Sequence, residues 1–153
     1  MISCILLAAG AGRRMGYTDN KVSMPLGHYT VLQWNLHHMK RWNGLDEVIV
    51  VVSKDEMTYI CEQVEAMNTP WTVRYIVGGA ERQDSVASGL SQVSPAADIV
   101  LVHDGARPLA NTALAYRVIE GAKHHGAVVP AVPVVDTIKR VDTKGTVQET
   151  LVR

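Results

Sequence analysis

The chain has 153 residues, 47% apolar and 20% charged, ordinary values for a globular protein large enough to bury one core. Fifteen Lys and Arg balance fifteen Asp and Glu, so the basic excess of a non-specific nucleic-acid binder is missing. The first apolar run, residues 2–9, follows no basic region and is too short to cross a bilayer, so neither a signal peptide nor a membrane segment is expected.

Apolar runs of strand length alternate with amphipathic stretches of helix length. Residues 2–8 predict a strand buried on both faces, because they are apolar almost throughout. Residues 30–42 predict a helix, with Val31, Leu32, Leu36 and Met39 near one face. Residues 47–52 predict a second buried strand. Ser53-Lys-Asp-Glu56 has the pattern of a capping box opening a helix to about Met67. Residues 73–77 predict a third strand, followed by Gly78-Gly79 and a short helix through Leu90. Residues 99–103 predict a fourth strand, 111–125 a helix stopped by Gly126, and 127–134 a fifth strand. Strand–helix alternation with short links predicts right-handed crossovers and an α/β fold, a mostly parallel sheet covered by helices on both faces.

The pattern then changes. Residues 137–141, a turn at Asp142-Thr-Lys-Gly145 and residues 146–152 predict a β-hairpin. A lone hairpin is marginally stable, so this one is expected to pack on something. The division expected is a nucleotide-binding domain over residues 1–132 and a β-arm over 133–153. No helix closes the chain after the hairpin, and it reads as a fragment of a longer domain. Cys4 and Cys61 lack metal-type spacing and read as two reduced, buried thiols of a cytoplasmic protein. His37-His38 and His124-His125 are sequence neighbours that face about 100° apart on helices, so they read as surface residues rather than metal ligands.

Ligands of open α/β sheets bind beyond the carboxyl ends of the strands, and three loops of unusual composition fall there. The first is Leu7-Ala-Ala-Gly-Ala-Gly-Arg-Arg-Met-Gly16, whose small residues let backbone N–H groups approach phosphate oxygens. The same composition serves a glycine-rich turn with solvated arginines. A dinucleotide fingerprint is excluded, since Met15 stands where its third glycine belongs. A Walker A loop is excluded as well, since Tyr17 follows Gly16. Lys21 sits shortly afterwards in a polar loop, either solvated or as a lid lysine.

The second loop is Gly78-Gly-Ala-Glu-Arg-Gln-Asp-Ser-Val86. Asp84-Ser85 there fits a helix N-cap, and a helix N-terminus also offers free N–H groups to a base or sugar. The third is His103-Asp-Gly-Ala-Arg-Pro108. Asp104 at the end of a buried strand needs a cation, either a Mg²⁺ completed by phosphates and water or Arg107 in a salt bridge. Cations, glycines and one metal-type carboxylate suit phosphoryl or nucleotidyl transfer, where positioning and charge stabilisation carry the catalysis.

Taken in order, these loops resemble the methylerythritol-phosphate cytidylyltransferase family of non-mevalonate isoprenoid biosynthesis. Asp136-Thr-Ile-Lys-Arg140 and Thr150-Leu-Val-Arg153 extend the match over nearly the whole chain. The resemblance implies a nucleotide-diphospho-sugar-transferase fold of the glycosyltransferase A type, Rossmann-like, with a protruding hairpin arm that makes a homodimer. It implies transfer of CMP from CTP to 2-C-methyl-D-erythritol 4-phosphate, with Mg²⁺. By similarity Ala9, Gly10, Ala11 and Gly12 would hold the CTP phosphates, and Arg14 and Lys21 would stabilise charge at the α-phosphate. Gly79, Asp84 and Ser85 would contact cytosine and ribose, and Asp104 would hold the metal. Arg107, Thr137 and Arg153 would hold the methylerythritol phosphate, the last two reaching the partner subunit.

Three positions depart from the family pattern. Val22 replaces a usual glutamine, Gly105 a usual alanine and Val152 a usual aspartate. The family's Gln-Thr-Pro-Gln segment and C-terminal lysine have no counterpart up to Arg153. The sister family that acts on ribitol 5-phosphate resembles Leu-Ala-Gly-Gly, Arg-Asn-Glu-Thr and His-Asp-Ser-Val-Arg-Pro at the three loops, where this chain has Ala9, Asp84-Ser85 and Gly105-Ala106. A non-catalytic nucleotide-binding or dimerisation fragment is the remaining alternative.

Overall fold

Residues 2–7 and 45–52 have almost no polar face, and in the computed structural model, which describes residues 1–10 and 20–152, they form the middle of a parallel sheet. The strands in chain order are β1 (Ile2–Leu7), β2 (Pro25–Leu26), β3 (Tyr29–Thr30), β4 (Leu45–Val52), β5 (Thr72–Val77) and β6 (Ile99–Asp104), followed by β7 (Lys139–Val141) and β8 (Val147–Thr150). The helices are α1 (Val31–Met39), α2 (Met57–Glu65), α3 (Arg82–Leu90) and α4 (Thr112–His125). The main sheet has the order β5-β4-β1-β6, all parallel, and β2-β3 and β7-β8 are separate antiparallel ribbons.

Helices cover both faces, as crossovers between parallel strands require. On one face Leu32, Leu36 and Met39 of α1, Ile60 and Val64 of α2 and Ala115 of α4 pack with Cys4, Leu6, Val48, Val50 and Val52. On the other, α3 lies over Ile5, Ile49 and Val51. Glu47 is only 1% exposed, yet satisfied: Ser3 Oγ donates to Oε2 at 2.7 Å, the Ser94 N–H at 3.1 Å, and Arg74 Nε lies 3.3 Å from Oε1. Burial pushes the Cys4 thiol up to about 12. Cys61, in α2, is half-buried rather than buried. His37 and His38 are also half-buried, in an aromatic group with Trp34 and Tyr29.

Several expected features differ. No fifth strand forms: residues 127–135 have no regular structure, and Val129, Val132 and Val135 are exposed. Pro130 and Pro133 have no N–H to give a ladder, which breaks the run as a sheet strand. The first helix ends at Met39 rather than Trp42. Ser53 and Glu56 do not form a capping box. Ser53 starts a 3-10 turn over Lys54–Glu56, its hydroxyl gives no cap bond, and α2 begins only at Met57. The hairpin is where the sequence predicts it, with shorter strands joined across Asp142–Gly145. Among the described residues, no helix is long and apolar enough to cross a membrane.

Candidate active site

β1, β5 and β6 end at the same edge of the sheet, and the main-chain ladder runs on past each of them. Ala8 N–H donates to Val51 O at 2.7 Å, Gly78 N–H to Val52 O at 2.8 Å and Gly105 N–H to Leu7 O at 2.9 Å. These bonds bring the starts of the three loops singled out in the sequence to one edge of the sheet, the first described as far as Gly10. They border an open cleft of about 860 Å³, whose walls include Ala9, Gly10, Lys21, Gly79, Ser85, Asp104 and Arg107. Seven of the expected site residues thus share one cavity. Ala11, Gly12, Arg14 and Arg153 lie outside the described residues. Asp84 stands beside the cleft in α3, and Thr137 precedes the hairpin without lining it.

Close approach dictates the glycines. A Cβ on Gly79 would come within 2.2 Å of the Asp84 Cβ, so only glycine lets the loop fold against the start of α3. Asp84-Ser85 is not the N-cap, which is Glu81 one turn earlier. Asp84 Oδ2 accepts the Glu81 N–H at 3.0 Å, and Ser85, buried in the first turn, accepts the Gly79 N–H at 3.2 Å. At Gly105 a Cβ would meet Leu7 O at 2.7 Å and Val22 Cγ1 at 3.1 Å. Val22, buried within the Lys21–Ser23 turn, therefore faces Gly105 across the space a side chain there would fill.

Asp104 closes β6 with its side chain 26% exposed. Arg82 Nε and Nη2 donate to Oδ1 at 3.1 and 2.9 Å, and Arg107 Nε lies 3.0 Å from Oδ2. The Arg107 bridge weighed from the sequence is present, and Arg82 joins it. Two guanidiniums offset the desolvation of this carboxylate. Among the described residues Oδ2 meets only Arg107, which leaves it a second lone pair. A hard cation held by one carboxylate and completed by ligand oxygens fits that donor. Among the described residues, no three His, Cys, Asp or Glu side chains cluster as an all-protein metal site.

Sequence reasoning missed the polar groups that brace the site. Asn35, 1% exposed in α1, donates from Nδ2 to Gly105 O at 2.6 Å and to Val31 O at 2.8 Å. Its Oδ1 lies 2.7 Å from His103 Nε2, which fixes the turn below Asp104. Burial holds the His103 imidazole below its ordinary value, against the opposing pull of Asp104. Asn20, 5% exposed, donates from Nδ2 to Ala8 O at 2.6 Å and to Glu56 Oε2 at 2.7 Å. Arg82 stood within a quoted motif and showed no sign of its partner 22 residues away.

A parallel α/β sheet with glycine-bearing loops and converging cations at its carboxyl edge is an arrangement that suits a phosphate-bearing ligand. Comparison with known proteins narrows the class. The 2-C-methyl-D-erythritol 4-phosphate cytidylyltransferase family matches residues 2–153, and the chain belongs to that family. It is 41% identical over 150 residues to the enzyme of that name from Alkaliphilus metalliredigens, covering 97% of this chain and 62% of the relative. The Bacillus mycoides enzyme is 37% identical over 153 residues, covering 100% and 67%. The crystal structure of 4-diphosphocytidyl-2C-methyl-D-erythritol synthase from Anaerococcus prevotii superposes with a TM-score of 0.84 at 31% identity, covering 98% of this chain and 64% of that one. The chain therefore spans a little under two thirds of the first of these relatives.

Proposed function

We propose that this chain carries the cytidylyl-transfer site of a 2-C-methyl-D-erythritol 4-phosphate cytidylyltransferase, taking CTP and methylerythritol 4-phosphate to 4-diphosphocytidyl-2-C-methyl-D-erythritol and pyrophosphate. The observation that carries the reading is the convergence of Ala9, Gly10, Lys21, Gly79, Ser85, Asp104 and Arg107 on one cleft, in a chain of this family. No covalent enzyme intermediate is needed. A phosphate oxygen of the acceptor, already anionic near neutral pH, attacks the α-phosphorus of CTP in line. The new P–O bond forms as the bond to the β-phosphate oxygen breaks, and the electron pair leaves with pyrophosphate.

The residues divide the work. Backbone N–H groups of Ala9, Gly10, Ala11 and Gly12 would hold the triphosphate, and Arg14 and Lys21 would offset charge building at the α-phosphate. Gly79, Asp84 and Ser85 would read cytosine and ribose. Arg107, Thr137 and Arg153 would hold the acceptor's phosphate, the last two from the arm at 133–153 of a partner subunit in a homodimer. Asp104 would hold Mg²⁺, which supplies Lewis-acid stabilisation of phosphate charge when bound. The free thiols Cys4 and Cys61 agree with a cytoplasmic setting.

The test is pyrophosphate release from CTP by the full-length protein. Turnover with methylerythritol 4-phosphate and Mg²⁺, and none with ribitol 5-phosphate, is expected. Preference for ribitol 5-phosphate, or no turnover with either, sinks the reading.

A further inference from the structure

One polar side chain of the Lys21 turn, 5% exposed, stands in the wall of the cleft and ties its parts together. Asn20 precedes Lys21 and caps the short turn Lys21–Ser23, with the Val22 N–H donating to Oδ1 at 3.3 Å. Its Nδ2 reaches back 12 residues to Ala8 O, next to the first glycine loop, and forward 36 residues to Glu56 Oε2. Glu56 is held in turn by Ser53 Oγ, donating to the same oxygen at 2.6 Å. One amide thus joins the end of β1, the turn that carries Lys21 and the entry to α2. This also explains the missing capping box, because Glu56 serves Asn20 instead of the helix start.

We propose that Asn20, braced by Glu56 and Ser53, is a positioning residue that holds Lys21 and the entry to the first glycine loop in one fixed arrangement. Fixed placement of a cation before the reaction is what makes it effective, since reorganisation then costs nothing at the transition state. Both Nδ2 protons of the Asn20 amide have protein acceptors and Oδ1 accepts the Val22 N–H, so the group has one orientation. Glu56, although charged and half-buried, accepts two bonds on one oxygen and acts as the brace. The proposal rests on the role given to Lys21 above, and its test separates the two.

In full-length protein, Asn20→Ala should lower kcat for pyrophosphate release by about 10- to 100-fold, the scale of a displacement near 1 Å, with a smaller change in KM for CTP. Glu56→Ala should act in the same direction, and Glu56→Gln, which keeps an acceptor oxygen, should restore most of the rate. In a Lys21→Ala background Asn20→Ala should cost little more, because the group it positions is gone. An equal loss in both backgrounds overturns the proposal, as does an unchanged kcat in both Asn20→Ala and Glu56→Ala. A second readout needs no turnover: competitive acetylation of Lys21 by acetic anhydride, read by mass spectrometry against exposed Lys54 and Lys144. Lys21 labelling should rise several-fold in Asn20→Ala and Glu56→Ala relative to those two lysines; an unaltered ratio in both variants overturns positioning. Wild-type protein that releases no pyrophosphate would count against the cytidylyl-transfer reading, while the labelling ratio would still decide the role of Asn20.

Discussion

Val48, Val50 and Val52 in β4 have no exposed surface, whereas Val129, Val132 and Val135 after α4 are 84%, 85% and 79% exposed. The side chains are the same, so the difference lies in the backbone around them. β4 exchanges hydrogen bonds with β1 on one side and β5 on the other, and helices close both its faces. Residues 127–135 contain two prolines and form no regular strand, while β6 pairs only with β1 among the described residues. Burial of an apolar run therefore needs a ladder partner as well as apolar side chains. The cleft lies at the end of the half that has both.

The contrast is sharpest in stability. Ile49→Ala removes a fully buried side chain packed with Ile5 and Val51, and should cost about 2–5 kcal/mol. Val132→Ala should change stability by no more than about 0.5 kcal/mol. Chemical denaturation of the two variants checks both numbers. Equal losses would mean that residues 127–135 are packed in solution and that the contrast is wrong.

Within the cleft itself, chemistry and stability should separate. Lys21 is half-buried at the start of the short turn Lys21–Ser23 and lines the cleft. Lys21→Ala in full-length protein should lower kcat by about 10²–10³, or 3–4 kcal/mol in the barrier, with the melting temperature little changed. A near-normal kcat removes Lys21 from the machinery. A large drop in melting temperature with kcat preserved would assign it to the fold instead.

A smaller effect tests how tightly the β1 and β6 ends are pressed together. Gly105→Ala puts a Cβ 2.7 Å from Leu7 O and 3.1 Å from Val22 Cγ1, so the strand ends must part. About 1–3 kcal/mol of destabilisation is expected, typical of overpacking. Adding Val22→Ala should relieve only part of it, because the nearer contact is backbone. Full relief would show that Val22, and not the β1 carbonyl, sets the space at Gly105.

These outcomes bear on what the sequence could say. The four sheet strands and α1 to α4 were legible because long apolar runs and helical spacing are local signals. The ribbon β2-β3 was not, since two-residue strands around Gly27 carry no period. The glycine loops stood out by composition, and the sheet brings their starts to one edge. Their braces were invisible for a different reason. Asn35 meets a residue 70 positions away, Arg82 one 22 away and Asn20 one 36 away, so nothing in the neighbouring sequence marks them. Glu56 was misread for the same cause. Its spacing from Ser53 suits a capping box, and a distant amide won it instead.

The smallest effect belongs to the hairpin, where a single exposed carboxylate organises the turn. Asp142 Oδ1 accepts the N–H groups of Lys144 and Thr146, both at 2.9 Å, and Oδ2 accepts Gln148 Nε2 at 3.1 Å. The bonds from Thr146 and Lys144 hold the carboxyl below its usual value of 3.8. The folded turn thus binds its proton less readily than the open one. Its stabilisation is complete above the ordinary carboxylate value and is lost as pH falls through the lower, folded value. Amide shifts and exchange of Lys144 and Thr146, followed by NMR from neutral pH downward, should report a transition below 3.8 that leaves the amides of β4 unmoved. Asp142→Asn keeps an acceptor oxygen and should abolish that transition. If it persists in the variant, Asp142 is not the titrating group, and the turn is held by its backbone alone.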